Sequence, residues 1–260
     1  MIDFYKYQGT GNDFILIDNR DAAVKSDKIK FAKKWCDRRF GIGSDGIIFI
    51  ENSIDADFTM DFYNPDGSQS FCGNGSRCAV RFAQFLNLYS TSTVSFLAID
   101  GLHTAELLGE NIRIKMKDVA AAEKIEDDYF IHTGSPHYIS YENDNLRDII
   151  NYGKSIRFND RFKLEGTNVN LIQIKGETHI AIRTYERGVE DETFSCGTGA
   201  TACALSLALK NNLNNARIQV DVKGGTLHVD FKKAGDLFTD IWLEGPADFV
   251  YKGIIDDTTN

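Results

Sequence analysis

No long apolar run occurs in this chain of 260 residues, and with 42% hydrophobic and 26% charged residues no membrane span or anchor is expected. The opening stretch MIDFYKYQGTGNDF lacks the basic segment, apolar core and small-residue cleavage site of an export leader, so a cytoplasmic location is expected. Positive charge is scarce as well. The formal net charge is −9, and the basic pieces KIKFAKKW and CDRRF are short and read as the solvated face of an amphipathic helix. Phosphate binding needs clustered Lys and Arg, so no nucleic-acid partner is expected. Cysteine pairing and metal-ligand spacing are missing too: the five cysteines are an odd set, no CxxC occurs, and the five histidines are scattered. That leaves free thiols, no disulfide framework and no metal site.

The length suits two domains of roughly 110 to 150 residues each, or one large one. Alternating segments read as strands: FILID (14–18), ADFTMDFY (56–63), IRIKM (112–116), THIAIRTY (178–185), IQVDV (218–222) and TLHVDF (226–231). Helices are predicted over 27–39, 75–88 and 199–212, the last two rich in small and apolar residues and therefore buried. The acidic stretch after KMKD suggests a boundary near residue 118. The domains expected are 1–117, completed by 250–260 and carrying Cys72, and 118–249, carrying Cys196. An internal repeat supports this division: SFCGNGSRCAVRF and FSCGTGATACALSL both place Cys-Gly-x-Gly at the start of a small-residue helix, 124 residues apart.

Cys-Gly-x-Gly at a helix start has chemical meaning. A helix N-terminus concentrates unsatisfied N–H groups and about half a positive charge, which stabilises a thiolate. Glycines there clear side chains so that backbone amides can approach an anion such as a carboxylate. One isolated cysteine beside glycine is commonly a small buried hydrophobe, and Cys36, Cys78 and Cys203 read that way. A matched pair suits stereoinversion, in which a base removes a proton from a carbon and an acid returns one from the other side. Cysteine hydrolysis leaves the second motif unexplained. The fingerprints GTGATA and GIGSDG also fit dinucleotide-binding glycine patterns, but neither follows a buried strand into a helix with an acid about 20 residues on.

Taken together, GTGNDFILID, FYNPDGSQSFCGNGSRC, GSPH, GTNVN and YERGVEDETFSCGTGA resemble diaminopimelate epimerase, from residue 7 to about residue 245. The resemblance implies an α+β fold of two pseudo-symmetric domains, each a mixed β-sheet curled as a barrel around a central α-helix, with the active site between them. It implies a cofactor-independent homodimer that interconverts LL- and meso-diaminopimelate on the route to lysine and cell-wall precursors. On that pattern Cys72 and Cys196 are the acid-base thiols, with His137 and Glu186 adjusting their proton affinities. Asn12, Asn64, Gly73, Asn74, Asn168, Glu186, Arg187, Gly197 and Thr198 match substrate-contacting positions. From the residues alone other roles stay open: Asn12, Asn64 and Asn168 lie near Gly or Pro and suit turns, and Arg187 could pair with the acids at 190–192. Two positions depart from the family pattern: Ser135 stands where many members carry Asn, and Gly46 where some have a longer polar residue.

Overall fold

The computed structural model describes residues 1–120, 122–142 and 147–256. Of the segment 250–260 expected to complete the first domain, residues 257–260 therefore lie outside the described residues. The chain divides into two compact units: Met1–Ile114 together with the C-terminal residues from Gly245, and Lys115–Glu244.

Along the first unit run β1 (Ile2–Gly9), β2 (Asn12–Asp18), α1 (Lys28–Trp35), β3 (Gly46–Glu51), β4 (Phe58–Tyr63), α2 (Gly73–Phe85), β5 (Thr93–Ala98), β6 (Gly101–Leu108) and β7 (Asn111–Lys115). There follow β8 (Ala122–Ile125), β9 (Asp128–His132), β10 (Pro136–Glu142), α3 (Ile149–Arg157), β11 (Asn168–Gly176), β12 (His179–Glu186) and the short β13 (Asp191–Thr193). Then come α4 (Gly197–Lys210), β14 (Asn215–Val222), β15 (Gly225–Ala234), β16 (Leu237–Pro246) and β17 (Asp248–Ile255).

The strand pairings repeat. In the first unit β17–β1 and β1–β2 are antiparallel, β2–β3 parallel, β3–β4 antiparallel, β4–β5 parallel, and β5–β6 and β6–β7 antiparallel. In the second, β8–β9 and β9–β10 are antiparallel, β10–β11 parallel, β11–β12 antiparallel, β12–β14 parallel, and β14–β15 and β15–β16 antiparallel. Parallel neighbours cannot be joined by a tight turn and need a crossover. Each of the four helices among the described residues makes one of these crossovers, α1 matching α3 and α2 matching α4.

Helices on both faces explain why these strands bury apolar side chains on both of their faces. Along β2 and β3, Phe14, Leu16, Ile48 and Ile50 pack with α2, while Ile15, Ile17, Ile47 and Phe49 pack with α1. In the second unit Ile139, Ile172, Ile180 and Ile182 pack with α4, while Tyr138, Val169, Leu171 and Tyr185 pack with α3. The helices expected at 75–88 and 199–212 begin two residues earlier, because Cys72 and Cys196 are themselves the N-caps. The helix expected over 27–39 spans only Lys28–Trp35, capped by Asp27 accepting from the N–H groups of Ile29 and Lys30. Helix α3 was not foreseen.

Cys36, Cys78 and Cys203 are free thiols buried in the packed interior. No helix among the described residues is long and apolar enough to cross a membrane. Gly46 has a packing reason: a Cβ there would lie 2.3 Å from Cε2 of Phe62, whose ring fills the space a side chain would need.

Candidate active site

Cys72 and Cys196 occupy the same local geometry. Their backbone angles are φ −131°, ψ 110° and φ −128°, ψ 111°, the extended conformation of an N-cap whose carbonyl starts a helix. Each sulfur therefore sits at the positive end of a helix buried along most of its length. Gly73 and Asn74 form the first turn behind Cys72, and Gly197 and Thr198 the first turn behind Cys196.

At Cys72 the Gly75 N–H donates to Sγ at 3.4 Å. Asn12, just past the β1–β2 turn, is oriented by Asp45: its Nδ2 donates to that carboxylate at 2.7 Å. Its Oδ1 therefore faces Cys72 Sγ at 3.8 Å and accepts from Asn74 Nδ2 at 3.3 Å. Asp45 pairs with Arg38 at 2.6 Å, Arg38 with Asp13 at 2.6 Å, and Asp13 with Lys6 at 2.6 Å. Burial acts to raise the Asp13 carboxyl, but hydrogen bonds from Arg38 and Lys6 outweigh it and hold the group below the usual carboxylate range. Asn64 is not part of this cluster; its amide donates to Ser68 Oγ at 3.1 Å and Ser70 Oγ at 3.2 Å within its own loop.

Beneath the first turn of α2 lies Arg77, fully buried. Its Nε donates to the Pro246 carbonyl at 3.1 Å and its Nη2 to Thr10 Oγ1 at 3.3 Å, while Nη1 has no hydrogen-bond partner among the described residues. Burial opposes its charge, and the neighbouring Cys78 and Cys72 favour it. Sequence reasoning passed over Arg77, although the repeat carried a signal: the matching residue 124 positions on is the neutral Thr201, whose hydroxyl donates to the Gly197 carbonyl at 3.0 Å.

At Cys196 the partner is a hydroxyl. Sγ lies 3.5 Å from Thr198 Oγ1, and that oxygen lies 3.0 Å from His137 Nε2 and 3.4 Å from Ser135 Oγ. Ser135, despite its short side chain, thus reaches the helix start, and Thr133 donates to the Thr198 carbonyl at 2.8 Å. His137 is fully buried; burial, with smaller contributions from His132 and Arg187, pushes its pKa down to about 3. It is therefore neutral at physiological pH. Its ring meets Thr198 and, at 3.1 Å from Nδ1, Asn170. Asn168 accepts the Arg187 N–H at 2.8 Å, and the Arg187 guanidinium donates to the Glu165 carbonyl at 2.7 Å instead of pairing with the acids at 190–192. Glu186 ends β12, half-buried beside them.

The motif glycines have a second role. A Cβ on Gly199 would lie 2.9 Å from Asn170 Oδ1 and 3.2 Å from His137 Cε1. On Gly75 it would meet Ile48, Met60 and Phe14. These glycines make room for packed protein, where the sequence suggested room for a ligand.

Solved structures define the class of fold. A phenazine biosynthesis protein of the PhzF family from Bacillus anthracis matches with a TM-score of 0.73 at 15% identity, over 97% of this chain and 98% of that one. A hydroxyproline epimerase from Agrobacterium vitis matches with a TM-score of 0.69 at 12% identity, over 97% and 90%. These likenesses place the chain in a sheet-dominated α+β fold shared by proteins of differing chemistry. Sequence is more specific. The family model for diaminopimelate epimerase matches residues 4–124 and 129–250. The diaminopimelate epimerase of Flavobacterium psychrophilum is 49% identical over 257 residues, 96% of this chain and 99% of its own length. The chain belongs to the diaminopimelate epimerase family.

Proposed function

We propose that the protein interconverts LL- and meso-2,6-diaminopimelate, using Cys72 and Cys196 as its acid-base pair and neither pyridoxal phosphate nor a metal. The observation that carries this reading is the pair of thiols at N-caps of matching conformation, 124 residues apart in a repeated topology. One cysteine enters as thiolate and takes the α-proton; the other enters as thiol and returns a proton to the opposite side of the same carbon. The reverse reaction exchanges their roles, and each turnover leaves the pair with the same single proton. Charge developing on the substrate carboxylate is met by the N–H groups of the two first turns, formed by Gly73, Asn74, Gly197 and Thr198. Asn12, Asn64, Asn168, Glu186 and Arg187 supply further polar contacts, with Asn64 exchanging its loop hydrogen bonds for substrate. His137 acts from behind Thr198 as a neutral dipole, and Glu186 tunes the thiols by its charge.

The setting is cytoplasmic lysine and peptidoglycan-precursor synthesis, and the working unit is a homodimer. The exposed apolar residues Phe249, Val250, Tyr251 and Ile254 on β17 support self-association.

Incubation with LL-diaminopimelate in deuterated water, with chelator and no added cofactor, should yield meso product carrying α-deuterium. Cys72→Ala and Cys196→Ala should each lose epimerisation. Persistence of turnover in both variants would remove the two-thiol mechanism. Turnover of a different amino acid in place of diaminopimelate would keep the mechanism and change the substrate. Sedimentation should give the mass of a dimer, falling to a monomer with Val250→Glu and Ile254→Glu.

A further inference from the structure

Asn170, the second Asn of GTNVN, is completely buried and has no part in the chemistry described so far. Its amide orientation is fixed by two neighbours. Oδ1 accepts from the Thr184 hydroxyl at 2.9 Å, and Nδ2 donates to the Tyr138 carbonyl at 3.2 Å. Turning the amide over would bring its oxygen against that carbonyl oxygen. The second N–H of Nδ2 therefore faces His137 Nδ1 at 3.1 Å, and this nitrogen must accept. A neutral imidazole has a single N–H, which this leaves on Nε2, 3.0 Å from Thr198 Oγ1. With Thr198 oxygen accepting from the ring, its own proton is available to the Cys196 sulfur at 3.5 Å. One contact opposes this order: Asn168 Nδ2 faces Nε2, but at the longer 3.5 Å. The shorter contacts on both ring nitrogens prevail.

We propose that Asn170, steered by Thr184, is a positioning residue that fixes His137 as its Nε2–H tautomer, so that a directed chain of donors runs through Thr198 to Cys196 and favours its thiolate. An imidazolium would set Nδ1–H against the Asn170 N–H, so the arrangement also excludes the charged ring, in keeping with its burial. Gly199 belongs to the device, since any side chain there would strike both Asn170 and His137. In the first unit Cys72 meets a backbone N–H and the Asn12 carbonyl oxygen, a different setting from that of Cys196.

The significance for catalysis rests on Cys196 being an acid-base thiol, but the principal measurement does not. Nitrogen NMR of protein labelled with ¹⁵N-histidine should show His137 with a proton on Nε2 and a bare Nδ1 across neutral pH. Asn170→Asp, which places a carboxylate acceptor at Nδ1, should move the proton to Nδ1. In a Cys72→Ala background, the ultraviolet thiolate titration of Cys196 should then move upward by about one unit, the size expected from losing one hydrogen bond to a charged group. Cys36, Cys78 and Cys203 are held protonated by burial and stay silent in that range. Thr184→Val, of nearly the same shape, removes the hydroxyl that holds Asn170 Oδ1 and loosens the amide's contact with Nδ1, so it should shift both signals partway in the same direction, with Thr184→Ser restoring them. If Asn170→Asp does not fold, the wild-type spectrum and Thr184→Val decide. A wild-type His137 protonated on Nδ1, or a tautomer indifferent to both substitutions, overturns the proposal. So does a Cys196 titration that stays put while the tautomer reverses. Absence of diaminopimelate turnover in the wild type, with both spectroscopic shifts intact, would instead count against the proposed function.

Discussion

Gly199 and Gly75 stand at the same step of the repeat, three residues past their cysteines, and a methyl group at each meets different company. At Gly199 the nearest atoms are Asn170 Oδ1 at 2.9 Å and His137 Cε1 at 3.2 Å, both in a buried hydrogen-bonded cluster that cannot yield without breaking bonds. At Gly75 they are the terminal Ile48 Cδ1 at 3.3 Å, Met60 Cε at 3.4 Å and Phe14 Cε1 at 3.4 Å, of which the first two end flexible side chains. Overpacking a fixed site costs about 1–3 kcal/mol, whereas alanine in a helix recovers up to ~1 kcal/mol relative to glycine. Gly199→Ala should therefore lower stability by about 1–3 kcal/mol and suppress activity, and Gly75→Ala should be close to neutral in denaturant melts. Equal costs at the two positions would contradict this account of the cluster. The motif was legible in the sequence, but the reason for its second glycine was not, because Asn170 and His137 reach it only through the fold.

Helix α3 shows the same limit for an element. It has nine residues, IINYGKSIR, with a glycine in the middle, and alone it has little tendency to be helical. Packing makes it a helix. A Cβ on Gly153 would lie 2.4 Å from Cγ of Tyr185, so the missing side chain is what lets α3 approach β12, and Tyr185 is held in place by its hydroxyl donating to Glu190 at 2.7 Å. Gly153→Ala should cost about 1–3 kcal/mol despite its better helix propensity. Asp148→Ala, which removes the carboxylate accepting from the Ile150 and Asn151 N–H groups, should cost about 1 kcal/mol. Chemical denaturation of the two variants gives the comparison; a stabilised Gly153→Ala would show that α3 does not need this close approach. Strand β3 escaped the sequence for a related reason. GIIFIE is apolar on both faces because α1 and α2 cover both, so it lacks the alternation that revealed β4 and β12.

For the molecule as a whole, the sequence displayed the repeat at two Cys-Gly-x-Gly motifs, while the backbone extends it to seven strand pairings and four crossover helices. Pairing is carried by backbone groups, so it persists where side chains have diverged, and the divergence gives the units different behaviour on acidification. His137 lies in only one of them. Its folded pKa is pushed down from 6.5 to about 3, so between those values the unfolded chain binds a proton that the folded one refuses. Stability from this site is fully present above the unfolded value and declines as pH falls toward the folded one, by up to about 1.4 kcal/mol per pH unit. His228, half-buried in β15, is lowered too, by burial and then by Arg217, and acts with the same sign. The carboxylates held low by their cations, Asp13 and Asp18, contribute only in a lower range, because their stabilisation is lost below the usual carboxylate value of 3.8. Neutralising part of the net charge of −9 relieves repulsion and works in the opposite direction, but that effect is spread over the surface and screened by salt. Histidine protonation should therefore govern the window from pH 6.5 down to about 5. Denaturation midpoints measured across that window at physiological salt should fall steadily in the wild type and fall less in His137→Gln, with the two curves converging toward low pH. Parallel curves would mean that His137 carries its proton in the folded protein, and the neutral ring inferred from its burial would have to be given up.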